Sequence, residues 1–384
     1  MTADSCSLPA SPSDLSEADR ATRDASITLG LTLPTDTVLY LLLPLHAAEF
    51  GVSLAEAGLL LAANRLVRIA GYGWVARSYE RHGPRVACIG AVLGSAAASL
   101  GYALLPGVWW LLLARLVWGL SFAAMNIATQ ALATAEGQGA ARRSGRSRAI
   151  IATGPMTGLI AGAVIAEAAG PHLVFLILTG IALLALPFAA RLPGGQGQPV
   201  RAGPRFALPS RLDVWSFVQG VALDGLFVIG LSVLAAQALP QGAALAAGGA
   251  LALRYASEIA LGQAGGMLGE RFGAMRMLVL LSLGSAAGLA VIGVGGLWVG
   301  ALCVVALRGL LQPLPAPVAA QVAPPSQRVA SLARLATWRD LGAGLGPLLA
   351  GVLLPLLPHW LLYGATALAL ALAALALHRP GSRR

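Results

Sequence analysis

Lysine is absent from this 384-residue chain, so all 26 basic residues are arginine. The bias reads as genomic composition. Charge is scarce as well: charged residues make up 11% of the chain against 57% hydrophobic, and mean hydropathy is +0.76. So little polar surface cannot cover a soluble globule. Cysteine occurs three times, at Cys6, Cys88 and Cys303, with no paired or metal-ligand spacing, which excludes a disulfide framework. His46, His82, His172, His359 and His378 all fall near the ends of apolar stretches, so neither haem nor metal is expected at a membrane centre. Gly342, Gly344 and Gly346 follow no strand and form no phosphate-binding loop, which excludes ATP as the energy source. No His, Ser or Cys constellation converges, so no enzyme and no cofactor is expected. A cleavable signal peptide is missing too: residues 1–24 are Ser-rich and hold Asp4, Asp14, Glu17, Asp19 and Asp24 against Arg20 and Arg23. They read as a disordered cytoplasmic tail.

What the chain does have is twelve apolar stretches, with arginine in every second gap between them. The gaps near Glu49 to Ser53, Pro106, Gly170 to His172, Gln237 to Gln241, Gly295 to Gly296 and Pro358 to His359 contain none. The others hold Arg77, Arg81 and Arg85; Arg142, Arg143, Arg146 and Arg148; Arg191, Arg201, Arg205 and Arg211; Arg271 and Arg276; Arg328 and Arg334. Translocating basic residues in short loops is unfavourable, so this alternation predicts twelve spans with both termini cytoplasmic. At ~20 residues each, the spans take up roughly 240 positions. The net charge of +10 then lies beside an anionic leaflet and calls for no nucleic-acid partner.

The sequence also repeats. Glu80, Arg81 and Gly83 match Glu270, Arg271 and Gly273 at an offset of 190. Gly154-Pro155 matches Gly346-Pro347 at 192, and Arg115, which starts the Arg-x-x-x-Gly run to Gly119, matches Arg308-Gly309 at 193. Three features at nearly one spacing predict two pseudo-symmetric six-helix bundles, residues 25–191 and 213–378, in an all-α integral membrane protein. A Gly, Pro and Arg-rich cytoplasmic linker, residues 192–212, joins them, and residues 379–384 form a second cytoplasmic tail.

On these residues the chain resembles the major facilitator superfamily. The family's loop motif, G-x-x-x-D-R-x-G-x-R/K, is matched by Gly266, Glu270, Arg271, Gly273 and Arg276. The copy at Glu80, Arg81, Gly83 and Arg85 has Ala76 in place of the first glycine. Arg115 to Gly119 is similar to the family's span-four motif, and Gly154, Pro155 and Gly158 resemble part of the span-five motif of its exporters, where Ile150 replaces one glycine. The resemblance implies a central cavity lined by spans one, four, seven and ten. It also implies that the glycine-turn loops at Glu80 and Glu270 act as latches favouring the outward-facing state; tight turns alone are the alternative. Pro34, Pro44, Pro155 and Pro347 mark kinks, and Gly154, Pro155, Gly346 and Pro347 are the hinge candidates.

Ionisable groups inside spans are costly unless paired or hydrated, so each is a functional candidate. Asp36 lies near the middle of span one and Arg115 in span four; Asp224 in span seven and Arg308 in span ten mirror them. Each carboxylate suits proton coupling or a static ion pair. Arg65, about 16 Å into span two, and Arg68 one turn later suit either an anion site or a structural network among spans one, two and eleven. Arg254 and Glu258, spaced i, i+4, either neutralise each other or make Glu258 a third protonatable group. Tyr40, Asn126, Gln130, Gln219 and Gln312 complete the outline of a substrate pocket.

The leading expectation is a monomeric secondary transporter that exports a small organic molecule in exchange for protons. Symport of an organic anion with a proton is the alternative, on Arg65 and Arg68. A receptor or assembly factor that kept the fold and lost transport is the third.

Overall fold

The structure is a computed structural model and describes residues 12–195, 209–228, 230 and 243–378. Residues 1–11 of the expected tail, residues 196–208 of the expected linker, the gap from Gln237 to Gln241 and the tail 379–384 lie outside the described residues. Regular structure among the described residues is helical throughout.

The first helix, α1 (Pro12–Thr32), corrects the expectation that residues 1–24 are disordered, because it covers everything from Pro12 onward. One of the acidic residues that suggested a tail is a counter-charge and another is buried. Asp19 approaches Arg143 at 3.8 Å and Arg146 at 4.0 Å, and Asp24 is buried. Ser26 Oγ donates to Ser147 Oγ at 2.8 Å, tying the same helix to α5 (Ala140–Ala169). Pro34 cannot donate to the helical ladder, so the chain restarts at α2 (Pro34–Leu45), two residues before Asp36.

The next helix, α3 (Leu54–Leu104), starts in a capping box in which Ser53 and Glu56 satisfy each other's backbone N–H groups. Its 51 residues are broken at Gly83, with φ 79° and ψ 171°, a conformation that only glycine adopts without strain. Gly273, with φ 93°, separates α9 (Ala243–Phe272) from α10 (Ala274–Gly293) in the same way. Both glycine turns of the repeated loop motif are therefore present. The remaining elements of the first half are α4 (Val108–Ala133), α6 (Pro171–Leu183) and the short α7 (Leu186–Ala190). In the second half α8 (Arg211–Gln219) starts in a Ser210–Asp213 capping box and runs into a π-helical turn, Gly220–Leu226. Then come α11 (Leu297–Leu311), α12 (Pro315–Val322), α13 (Arg328–Leu353) and α14 (His359–His378).

Among the described residues seven helices are long and apolar enough to cross a membrane, and an eighth if α11 and α12, bent by 42° at their break, count as one span. The chain is a multi-pass membrane protein. Exposed Leu and Val residues cover its helices, and Trp109, Trp110, Trp298 and Trp360 stand exposed in the first turns of α4, α11 and α14. Such rings favour the bilayer–water boundary.

Lipid gives no hydrophobic drive for helix association, so close packing depends on small residues. A Cβ on Gly154 would run into the backbone of Gly30, and one on Gly346 would lie 2.6 Å from Gly225 Cα, so corresponding helix pairs of the two halves meet backbone to backbone. Two seams join the halves. In the first, α5 packs on α9, and a Cβ on Gly145 would sit 3.1 Å from Gly266 Cα. In the second, α3 packs on α13 through charged side chains.

Candidate functional site

The break at Pro34 places Asp36 on the inner side of α2, where Arg115 of α4 donates to its Oδ1 in a short hydrogen bond. Asn64 Nδ2 donates to the same oxygen at 3.0 Å, and Arg115 Nε donates to the carbonyl of Leu60 at 3.2 Å. Gly119, one turn beyond Arg115, packs against Asn64, so the Arg-x-x-x-Gly spacing brings α4 close enough to α3 for this contact. Tyr40 donates to the carbonyl of Leu61 at 3.0 Å, and its ring centroid lies 5.3 Å from the Arg115 guanidinium. Arg115 is wholly buried, and its side chain is fully committed to this network.

The second half builds a larger cluster. The π turn widens the helix at Asp224, a distortion frequent at functional sites, and three arginines surround its carboxylate. Arg308 Nη2 lies 2.5 Å from Oδ1, Arg339 Nε 2.9 Å from Oδ2 and Arg254 Nη2 4.0 Å from Oδ1. Gln219 Nε2 donates to Oδ2 at 3.4 Å. Arg308 Nη1 also donates to Glu258 at 2.6 Å, while the i, i+4 pair of Arg254 and Glu258 is looser at 3.8 Å. Arg254 and Glu258 thus belong to a five-member network rather than to a pair of their own. Arg308 is 1% exposed.

Arg65 and Arg68, adjacent in the sequence argument, have different surroundings. Arg68 Nε lies 3.1 Å from Asp340 Oδ2, a carboxylate that Tyr72 Oη also contacts at 2.9 Å, and the guanidinium sits over the Phe122 ring. Arg65 points toward Gly344 of α13, forms no ion pair among the described residues, and keeps a buried Nη1 without a hydrogen-bond partner. Arg339 and Asp340 are site residues that sequence reasoning missed, although two charges in the apolar run of span eleven were signal enough.

Asn126, Gln130 and Gln312 line a cavity together with Thr129, Ser144, Ser147 and Arg148. Gln130 Nε2 donates to Asn126 Oδ1 at 2.9 Å. Arg148 had counted only as a loop charge; it is the ninth residue of α5 and faces this cavity without an ion pair among the described residues. Around Asp36, Asp224, Asp340 and the adjoining cavity, the arginines Arg65, Arg68, Arg115, Arg148, Arg254, Arg308 and Arg339 outnumber the carboxylates of Asp36, Asp224, Glu258 and Asp340.

The two loop motifs differ. Glu270 Oε1 accepts the backbone N–H of Gly139 at 2.7 Å, the residue that starts α5, so a carboxylate of the second half caps a helix of the first. Gly266 of the same motif lies against Ala141 in that seam, and Arg271 stands beside Phe272. Glu80 has no hydrogen bond or ion pair among the described residues, and burial raises its pKa above the ordinary carboxylate value. Arg81 is exposed, and Arg85 donates to the carbonyl of Leu192 at 2.7 Å. Arg328 donates to the carbonyls of Thr134 and Ala135 at 2.9 and 2.7 Å, closing the halves on the same end as Glu270. The hinge candidates Pro155 and Pro347 lie inside continuous helices, each beside the glycine that makes a close helix contact.

Apolar helices around an interior of paired and unpaired charge define an α-helical membrane transport protein. The sequence matches the Major Facilitator Superfamily over residues 25–239, more than half of the chain, and the chain belongs to that family. It is accordingly a secondary transporter of a small molecule and not an enzyme. Among solved structures, that of the human organic anion transporter MFSD10 (TETRAN) is similar with a TM-score of 0.78 at 16% identity, over 94% of this chain and 99% of that one. At that identity the likeness shows the fold. The comparison with curated proteins gave no match.

Proposed function

We propose that this chain carries an organic anion across the cell membrane together with a proton, as a monomer of twelve spans that rocks two six-helix halves around a central site with both termini in the cytoplasm. The observation that carries the substrate class is Arg65, whose Nη1 is buried and unpartnered beside a cluster in which arginines outnumber carboxylates. A buried guanidinium lacking a counter-ion is unfavourable until an anion arrives, and its planar fork suits a carboxylate, phosphate or sulfonate. The fold likeness to a human organic anion transporter points the same way.

Twelve spans draw support from the break of α3 at Gly83, which divides its 51 residues into two membrane-length pieces. The α9 and α13 helices, 30 and 26 residues long, supply two further spans in which the site charges dilute the hydropathy. Trp109, Trp110, Trp298 and Trp360 open α4, α11 and α14, which alternation starts on one side of the membrane, while exposed Trp74 lies in α3 near the arginine-rich loop of the other side, so aromatic rings mark both boundaries.

Coupling to a proton is the role assigned to Asp36, with Asp224 and Glu258 holding the arginines of the second half in place. An anion moving inward against a negative interior meets a penalty of about 2.3 kcal/mol per charge per 100 mV, which a co-transported proton cancels. Protonated Asp36 would release Arg115 toward the substrate. Export in exchange for protons is the second reading, favoured by Gly154 and Gly158, which pack against Gly30 and Pro34 beside Asp36.

The test is accumulation by proteoliposomes of the purified protein under an imposed pH gradient, with anionic, neutral and cationic organic compounds compared. Anions should accumulate on the side the protons move toward. Gradient-driven accumulation of cations alone would refute the substrate class, and accumulation of anions against the proton flow would favour export.

A further inference from the structure

We infer that Arg148 and Ser144 form a second oxyanion site, at the Glu270 end of the path, which holds the acid group of the substrate where it meets the cytoplasm. This rests on the organic-anion reading and adds a location and a set of donors to it.

Ser144 and Arg148 are spaced i, i+4 and so share one face of α5. Both line the cavity that Asn126 and Gln130 of α4 and Gln312, just past α11, complete. Ser144 is 6% exposed, and its Oγ has no hydrogen-bond partner. Buried hydroxyls are rarely left in that state, so an unpartnered one aimed into a polar cavity points to a ligand. Arg148 makes neither an ion pair nor a hydrogen bond among the described residues; no carboxylate lines the cavity, and Glu258 and Asp224, already held by Arg308, act on Arg148 only from beyond ion-pair distance. Asn126 accepts from Gln130 through Oδ1, which leaves its own N–H groups free to donate. The donors available are thus a guanidinium fork, a hydroxyl and amide N–H groups, a set that fits a carboxylate, phosphate or sulfonate and rejects a cation.

The place matters as much as the chemistry. Asn126, Ser144 and Arg148 belong to the first half, whereas Gln312 belongs to the second. Beside the cavity runs the glycine seam, where a Cβ on Gly262 would lie 3.7 Å from Arg148 Cβ. An anion held by Arg148 and Gln312 would therefore bridge the two halves at the end that opens toward the cytoplasm, and its departure would loosen that end.

Calorimetric titration of the full-length protein in detergent with inorganic sulfate tests the site. Wild type should bind two sulfates, one at Arg65 and one at Arg148. Arg148→Gln should lose one of them or weaken it by about tenfold or more, Arg148→Lys should fall between, and Ser144→Ala should weaken it by about threefold to tenfold. Arg65→Gln should leave the Arg148 event intact. Unchanged stoichiometry and affinity in Arg148→Gln would overturn the inference; if that variant does not fold, unchanged affinity in Ser144→Ala would do so. Failure of the transport reading is separate: proteoliposomes would move no anion while the Arg148-dependent sulfate event persisted.

Discussion

Arg68 of α3 and Asp340 of α13 come from opposite halves of the sequence, and their side chains meet with Nε 3.1 Å from Oδ2. With Tyr72 on the same carboxylate and Phe122 beneath the guanidinium, this contact fills the charged seam of a molecule whose other seam is glycine on glycine. The two seams have different tolerances, because backbone contact admits no added atom whereas an ion pair can open and re-form.

Removing one partner of a buried ion pair is the costly change. Asp340→Asn should destabilise the protein by about 3–5 kcal/mol, since it leaves Arg68 buried without a counter-charge. Arg68→Gln combined with Asp340→Asn should recover part of that loss. Melting curves in detergent check both, and a double variant no better than Asp340→Asn would show that the pair is not what holds the seam.

The loop motifs should behave unequally. Glu270→Gln removes the carboxylate that caps α5 and should raise cytoplasmic accessibility, read as faster maleimide labelling of a cysteine introduced at Ala141. Glu80→Gln should change labelling little, because Glu80 has no partner among the described residues. Equal effects from both would indicate that the loops act as turns and not as a latch.

Gly145→Ala puts a methyl group against the backbone of Gly262 and Gly266. The seam between α5 and α9 should then close poorly, with lower transport and enhanced labelling at the same cysteine. Wild-type transport by Gly145→Leu would show that this seam opens more widely than its packing suggests.

The multi-pass helical fold, the glycine turns at Gly83 and Gly273, and the pairs of Asp36 with Arg115 and Asp224 with Arg308 were legible in the sequence, since each leaves a local signature. Hydropathy, loop arginines and a fixed offset are properties of short windows. The links between halves were not, because nothing local tells Arg68 to choose Asp340 or Glu270 to cap α5; those depend on which helices the fold makes adjacent. Asp19 misled for a related reason: an acidic residue near a chain start looks solvated until the arginines it neutralises, Arg143 and Arg146, more than 120 positions away, are brought alongside. Arg148 was hidden by its neighbours. Arg142, Arg143 and Arg146 fit a loop, yet α5 starts before all four, and only the helix shows that Arg148 turns inward.

Asp36→Asn should abolish gradient-driven accumulation while leaving substrate exchange across the membrane without a gradient, because the amide can still accept from Arg115 but cannot carry the proton. Counterflow and gradient-driven uptake in the same proteoliposomes separate these activities. An unchanged pH dependence of uptake would remove Asp36 from the coupling.

The most direct measurement is binding and uptake of organic anions and cations by Arg65→Gln beside wild type, with melting curves for both proteins. If the unpartnered guanidinium receives the substrate, the variant should bind the anion more weakly by about 1.5–3 kcal/mol, the usual worth of a charge-assisted hydrogen bond, and should melt no lower than wild type. A variant that loses stability with no change in anion affinity, alongside a wild type that carries cations well, would contradict the account.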